Sequence, residues 1–536
     1  MKTTGNRIFF FLLPACMLTY LFLRANILSM THDECGTTDL VHVPVWDVMF
    51  SPLQFQSANN HILHSLFMKW SVSLFGWHEW SIRLPNLLAF GVYYVAALRI
   101  TKRITTQSHL QLAGVFILCS APFVLDFFSL ARGYGIATAF GLFSFAALND
   151  YFYNEKKKHL FVAFAAAACA VYANFTWLNL YAGLWALLVA GWMLLIKKEQ
   201  PFLKAFVSIN LSPLLFAGII AALSYLPISY LKTKDEFKWG ASNWIDSFKT
   251  FCNDWIYNHQ IGNWNASGLS NTLMYLFSIG IILAWMSGMI RYFKNKATSS
   301  NLSFKTMVLT SSLILILVGG TIVQRHLLNT FYIDGRKALF YFPLVLILIS
   351  ILTIRLLEQK RFYLKATGTI LFLLLVFQFT RNLNLYSCRE WWYDASSKDA
   401  AFFISKHKAI PEKNVAVHWL FRPSFNFYNE HGLQHRLWKV VTLEETDQLN
   451  NIQYYYVHGE DIHSIHPIFK PVKRYFWDRF ILVRDTEFYK YKLELVKSRL
   501  KTTDPTLTQD ELLQQAEEVL WKERKELNWN TLLWSE

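Results

Sequence analysis

Charge is scarce in this chain. Only 17% of its 536 residues are Asp, Glu, Lys or Arg, against roughly 25% in ordinary soluble domains, while 53% are hydrophobic. The charge present is lopsided, 52 Lys and Arg against 37 Asp and Glu, a net +15. It does not form a patch suited to nucleic acid. It sits in short connectors between apolar runs: Arg99, Lys102 and Arg103; Lys156 to Lys158; Lys197, Lys198 and Lys204; Arg291, Lys294 and Lys296; Arg355, Lys360, Arg361 and Lys365. Cysteine is sparse as well. Of the six, Cys16, Cys119 and Cys169 lie in apolar runs. That leaves Cys35, Cys252 and Cys388, an odd number with room for one disulfide but no framework and no metal-ligand spacing. No small-residue cleavage site follows the first apolar run, so that run is expected to be retained rather than removed as a signal peptide.

What is abundant is long apolar sequence. By the ~20-residue criterion, spans are expected near 8–28, 79–98, 111–128, 134–150, 159–173, 177–196, 205–228, 270–290, 306–324, 338–355 and 365–380, about eleven crossings. The basic clusters fall on every second connector. With Lys2 and Arg7 at the start, this places the N-terminus in the cytoplasm and, for an odd count, the C-terminus on the outer face. The 61–75 stretch is apolar but short and carries Lys69, which reads as an amphipathic helix in the outer interface. Two outer loops are long, 29–77 and 231–268. The second carries Trp239, Trp244, Trp255 and Trp264, rings suited to the headgroup boundary or, more sharply, to stacking on a sugar.

From about residue 381 charge rises and short β-branched and aromatic runs appear. Strands are expected at 414–418, 438–441, 454–457 and 480–483, and helices at 396–407, 422–430 and 508–527. The expected fold class is therefore mainly α, a polytopic membrane bundle over 1–380, with a small α/β extracytoplasmic domain over 381–536. No Gly-rich phosphate loop opens a helix there, so nucleotide binding is unsupported.

The stretch 29–60 contains Asp33, Glu34, Asp39 and Asp47 but no Lys or Arg. The adjacent pair in Thr31-His32-Asp33-Glu34 stands where the chain leaves the first apolar run. Carboxylates beside a bilayer are costly to bury, and so point to a task. The other outer-face polar residues next to spans are Asn59, Asn60 and His61, Glu79 and Arg83, Asp126 and Arg132, and Arg325, His326, Asp334, Arg336 and Lys337. One chemistry uses this set: sugar transfer from a lipid phosphate to a hydroxyl. It needs a base for the hydroxyl proton, which Asp33 could supply. It needs no general acid, because phosphate departs as a stable anion, but it does need cations where that charge develops. One base and one displacement predict inversion at the sugar carbon.

Several segments resemble one family, the polyprenyl-phosphate-sugar-dependent glycosyltransferases of the C-type fold, in the branch of protein O-mannosyltransferases and lipid A aminoarabinose transferases. They are Thr31-His32-Asp33-Glu34; Asn59-Asn60-His61-Ile62-Leu63; Phe75-Gly76-Trp77-His78-Glu79-Trp80-Ser81-Ile82-Arg83-Leu84-Pro85; Ser129-Leu130-Ala131-Arg132-Gly133-Tyr134-Gly135; and Tyr332-Ile333-Asp334-Gly335-Arg336-Lys337-Ala338-Leu339-Phe340. They run in order through residues 1–380. The resemblance implies that Asp33 is the catalytic base and that Glu34 positions acceptor or metal. It implies that Arg83 organises the site and that Arg132 and Arg336 face the donor phosphate, with Asn60, His61 and Tyr134 as acceptor-side or site-organising residues. Some relatives bind a divalent metal, for which Glu34 and His61 are the candidate ligands. The chain departs from the pattern at Asn60-His61-Ile62, where the relatives carry a Pro-Pro stretch.

Bland readings compete at each position. Arg83 could anchor a helix end to lipid phosphate, Arg336 could pair with Asp334, and Asp126 is expected to pair with Arg132, as buried charges usually pair. Asn174-Phe175-Thr176 and Asn265-Ala266-Ser267 match a glycan-acceptor triplet that arises readily by chance. The expected partners are a polyprenyl-phosphate sugar, a lipid, glycan or protein acceptor, and membrane lipid, in a bacterial inner membrane. Two rivals are a lipid-linked-sugar flippase, which would show midplane charges or repeats, and a polymerase or ligase with a lipid-diphosphate donor.

Overall fold

The computed structural model describes residues 4–195, 201–236, 238–257, 267–294, 302–407, 413–433, 435–437, 439–445 and 451–526. Lys2, Lys197, Lys198, Trp264, Asn265, Ala266, Lys296 and Trp438 lie outside them. The chain forms two compact units. The first comprises 1–27 and 37–390, and the second comprises 28–36 and 391–536. The Asp33-Glu34 segment thus belongs to the second unit although it follows the first apolar run.

The first unit is helical. Seven described helices are long and apolar enough to cross a membrane: Ile8–Ile27, Glu79–Ile104, Phe175–Leu194, Phe202–Thr233, Gly268–Ile290, Ser303–Leu328 and Phe362–Arg381. An eighth candidate is a pair, Ser108–Cys119 and Pro122–Phe128, bent by 72° at a short break. By length and composition this falls short of the eleven crossings expected. The helices that fail are instructive. Tyr134–Asn154 is buried along almost its whole length, so its apolar residues line protein on every side, as in a core helix. Lys157–Ala173, which packs against it, has 17 residues, and Tyr341–Leu357 is equally short. The chain is an integral membrane protein with a buried central helix.

Local chemistry explains the helix ends that matter for the site. His78 caps Glu79–Ile104 in a reciprocal box with Ser81, and Lys102 and Arg103 close its last turn, favourable against the helix dipole. Ile62–Phe75 ends at Gly76 with φ +78°, a conformation that glycine adopts without Cβ strain. Its Lys69 ammonium donates to the carbonyls of Leu40, Val41 and Val43 at 3.3, 2.5 and 2.6 Å, so the basic residue expected to face the interface instead ties down the loop before it.

The second unit holds a five-stranded sheet: β1 Asn414–Val417, β2 Lys439–Thr442, β3 Tyr454–His458, β4 Phe469–Tyr475 and β5 Arg479–Arg484. The order is β2-β1-β3-β5-β4. β1 runs parallel to β2 and β3, and β5 antiparallel to β3 and β4. Its core gathers Ala416, Tyr455, Val457, Phe469, Phe480 and Leu482. Helices Thr486–Thr503 and Gln509–Glu526 pack on each other through Val496, Ala516 and Leu520. Four strands were expected. The fifth, β4, was not, because Pro471 and three basic residues break its pattern. It lies at the sheet edge, with a register shift at Pro471, where a missing N–H is tolerated. No disulfide joins any of the six cysteines in this structure, Cys35, Cys252 and Cys388 included.

Candidate functional site

Within the second unit, Thr31 and Glu34 form a capping box: the Thr31 N–H donates to Glu34 Oε2 at 2.9 Å, and the Glu34 N–H to Thr31 Oγ1 at 3.3 Å. This opens the short helix His32–Thr38 and gives the buried Glu34 carboxylate a structural task. The segment is stitched to the rest of its unit. The Met30 N–H donates to the Tyr428 hydroxyl at 2.7 Å, the Ser424 hydroxyl to Met30 O at 2.8 Å, and the His32 N–H to Asp394 Oδ2 at 2.7 Å. Asp394, which the sequence did not single out, is fully buried beside Asp33 and Glu34. Burial pushes its carboxyl well above the ordinary range, the His32 and Ser424 donors pull it back, and the charges of Asp33 and Glu34 raise it further. Asp33 itself, half-buried, is thus one of three carboxyls crowded at this spot.

Within the first unit, the predicted residues His61, Arg132, Arg336 and Tyr134 come together. His61 is buried. Desolvation drives its imidazole well below the usual histidine range, and Arg132, His64 and Arg336 push it further, against a hydrogen bond to the Ala173 carbonyl. The Tyr134 ring lies 4.9 Å from the His61 ring. Arg132 Nη1 donates to Thr37 Oγ1 at 2.8 Å and to Asn59 O at 3.1 Å. His64, one helical turn beyond His61, is buried with no hydrogen-bond partner on either ring nitrogen. Burial and then Arg132 lower its pKa to about 3. Arginines are thus prominent among the groups acting on these imidazoles, Arg132 on both and Arg336 on His61.

Asn86, which the sequence reading passed over, organises the Arg132 turn. Its Nδ2 donates to Leu130 O and Arg132 O at 2.5 and 2.6 Å, and its Oδ1 accepts from the Ile136 N–H at 2.9 Å. The signal available was its place three residues after Arg83 on the same helix face. Gly133 lets this turn press against its neighbours, for a Cβ there would stand 2.0 Å from Ala173 O and 2.7 Å from His61 Cβ. Asn60 is structural: its Nδ2 donates to Val48 O at 2.8 Å and its Oδ1 accepts from the Ser65 hydroxyl at 3.1 Å. Arg83 donates to Ala25 O at 3.0 Å, at the end of the first helix, where a cation suits the dipole.

One expectation is corrected, and two competing readings are decided. Asp126 pairs with Arg24 at 2.5 Å, not with Arg132, and also accepts from the Tyr257 hydroxyl at 2.8 and 2.9 Å and the Arg389 N–H at 2.8 Å. Asp334, the competitor for Arg336, pairs with Lys337 at 3.0 Å. Asn174 of the first glycan triplet is buried. Its Oδ1 caps the turn at Thr176, and its amide lies 3.5 Å from His61 Nδ1, so it serves the histidine rather than an oligosaccharide. Among the loop tryptophans, Trp239 and Trp244 are exposed, while Trp255 stacks on Phe342 at 5.6 Å. No group of three or more His, Cys, Asp or Glu side chains converges among the described residues. Glu34 Oε2 is already taken by its cap, so Glu34 and His61 are not shown to assemble a metal site.

These features define a polytopic helical membrane protein with a small α/β unit. No family model matches the chain, and no curated protein matches it. Among solved structures, it is similar to ArnT from Cupriavidus metallidurans in the apo state, with 14% identity over 90% of this chain and 98% of that one and a TM-score of 0.45. It is similar to the Archaeoglobus fulgidus oligosaccharyltransferase in the apo form, with 7% identity, 96% and 84% coverage and a TM-score of 0.49. It is also similar to the arabinosyltransferase EmbB from Mycobacterium smegmatis, with 10% identity, 72% and 42% coverage and a TM-score of 0.37. ArnT has been solved with undecaprenyl phosphate, and the archaeal enzyme with an inhibitory peptide and a dolichol-phosphate. All three are glycosyltransferases of the C-type fold.

Proposed function

We propose that the protein is a membrane glycosyltransferase that moves a sugar from a polyprenyl phosphate to an acceptor hydroxyl on the outer face of a bacterial inner membrane. The observation that carries the reading is the approach of the Arg132 and Arg336 guanidinium groups to the buried His61 imidazole, with Arg132 also acting on His64, on motif segments that resemble this enzyme class. Two guanidinium groups gathered at one place can cradle a phosphate by bidentate contacts, and a lipid phosphate held beside apolar helices is a ligand of that kind.

In the proposed step the acceptor oxygen forms a bond to the anomeric carbon as the bond from that carbon to the phosphate oxygen breaks. The electron pair of the breaking bond leaves on the phosphate, and the hydroxyl proton passes to Asp33. A single displacement inverts the anomeric centre. Arg132 and Arg336 act where negative charge grows, which lowers the barrier more than it stabilises the bound donor. Asp394, held toward its neutral form, lets Asp33 carry the local negative charge, as expected when carboxyls share a site. Arg83 and Asn60 position helices and loop, and no step is routed through a metal.

The test incubates purified protein with labelled polyprenyl-phosphate sugars and acceptor membranes, wild type beside Asp33→Asn. Label moves onto an acceptor with wild type, and the variant loses at least about 10²-fold in rate, the lower bound of a general base's usual contribution. Equal transfer by both would remove Asp33 from the role. Transfer only from a lipid-diphosphate oligosaccharide would favour a polymerase or ligase, and no transfer from any donor would favour a flippase.

A further inference from the structure

The second unit carries a feature the proposed reaction leaves unused, a row of rings along one end of its sheet. The chain leaves β1 for β2 on one flank and then crosses to β3 on the other, which makes the β1/β3 boundary a topological switch point. In open sheets, ligands bind outside the carboxyl ends of the strands at such points. His418 follows β1 and His458 ends β3, with ring centroids 5.0 Å apart. Arg479, paired in register with His458, lies over the Trp392 ring at 5.2 Å and over the Phe421 ring at 5.3 Å. The row continues through Trp419, 5.7 Å from His418, and Trp477, 5.8 Å from Trp392.

Two observations point to a ligand. Arg479 is 2% exposed, and although one guanidinium nitrogen donates to Trp477 O, its Nε and Nη2 have no hydrogen-bond partner. Beside it, Trp419 is 52% exposed, a large ring left open in a folded unit. We infer that this end of the sheet is a saccharide subsite that seats the acceptor. The inference rests on the glycosyl-transfer reading and adds the class and place of its second substrate. A sugar ring offers an apolar C–H face to an aromatic face and a rim of hydroxyls that both donate and accept. Trp419 supplies the face, and the imidazoles of His418 and His458 with the Arg479 guanidinium supply donors and acceptors. A lipid tail does not suit a row interleaved with His and Arg. A phosphate group does not suit one beside Asp461, whose carboxylate accepts from the His458 N–H at 3.1 Å. Trp419 also packs edge-on against His32 at 5.8 Å, and His32 is the residue before Asp33, so the same unit carries the seat and the base.

Ligand-observed saturation-transfer NMR on the full chain in detergent tests this. The probes are defined di- and trisaccharides of glucose, galactose, mannose and N-acetylglucosamine, undecaprenyl phosphate alone, and a Ser/Thr-containing peptide. Saturation passes to at least one saccharide. Trp419→Ala weakens that binding about tenfold or more, Trp419→Phe restores most of it, and His418→Ala weakens it independently. Tyr491→Ala, an exposed ring on helix Thr486–Thr503, leaves it unchanged. No transfer to any saccharide, transfer to undecaprenyl phosphate or peptide alone, or an unchanged signal in both Trp419→Ala and His418→Ala overturns the subsite. Saccharide binding with no label transfer from any donor would sink the enzymatic reading and leave the subsite. Label transfer indifferent to Trp419 would sink the subsite alone.

Discussion

Each unit crowds like charges at one spot, and the sign differs between the two. In the helical unit the crowding is cationic: Arg132 and Arg336 act on His61, and Arg132 acts on His64. In the α/β unit it is anionic: Asp394 is enclosed with Asp33 and Glu34. The helical unit also shows a balanced case, Arg24 with Asp126, in which the cation donates to Ser129 Oγ, Asn384 O and Ser387 O as well. Balanced burial is architecture, since every group is satisfied. Like charges crowded together disfavour each other's charged form, so these two clusters are candidates for a task and Arg24 is not.

The strongest way to break that distinction is Arg24→Ala, which strands a buried carboxylate. Thermal unfolding followed by tryptophan fluorescence is expected to show a loss of about 3–5 kcal/mol. Asp394→Asn is the counterpart, expected to cost far less because burial already works against its carboxylate form and an amide oxygen can still accept from the His32 N–H. A comparable loss from both would erase the contrast. Next comes Asn86→Leu, which leaves the Ile136 N–H and two carbonyls of the Arg132 turn unpaired. It is expected to cost about 2 kcal/mol or more and to lower label transfer beyond the fraction unfolded. Normal transfer by the folded variant would free Arg132 from dependence on that turn.

A pH series sharpens the comparison further. An imidazole held below its unfolded value near 6.5 contributes stability that is complete above that pH and is lost as pH falls toward about 3, the folded value of His64. The raised carboxyl of Asp394 acts in the opposite sense: its contribution is complete below an unfolded value near 3.8 and is lost as pH rises toward its folded value. Hydrogen exchange between pH 4 and 6.5 is expected to show helix Ile62–Phe75 losing protection on acidification and helix Ser397–Lys406 gaining it, with His64→Leu flattening the first trend. The same slope in both helices would refute the assignment. The smallest effect is the control. Arg422→Ala breaks an exposed pair with Glu445 at 2.9 Å, and the melting temperature should stay within error.

The helices and most of the sheet were legible in sequence because their signals are local. Tyr454-Tyr455-Tyr456-Val457 and Phe480-Ile481-Leu482-Val483 declare strands by composition, whereas helix Thr486–Thr503, mixing Lys and Glu through its length, declared nothing. Hydropathy alone does not tell a crossing from a core helix, since Tyr134–Asn154, buried along almost its whole length, is as apolar as a lipid-facing one. Motif order singles out Arg132, His61 and Tyr134, and the fold brings them close together. Asn86, His64 and Asp394 are not singled out, because a lone Asn, His or Asp carries no pattern until the fold surrounds it. Arg24 looked like the ordinary basic end of a span, and nothing local revealed that its partner stood 102 residues away.

Composition and order by themselves determined that this is a membrane chain with an acidic pair after its first helix, arginines in later turns and a mixed α/β tail, since hydropathy, periodicity and charge spacing are properties of neighbours along the chain. Which cation meets which carboxylate, which polar atoms lose water and which compact unit claims Asp33 were decided only by tertiary structure. Desolvation and Coulomb energy depend on distance through space, and residues hundreds of positions apart share it only once the chain has folded.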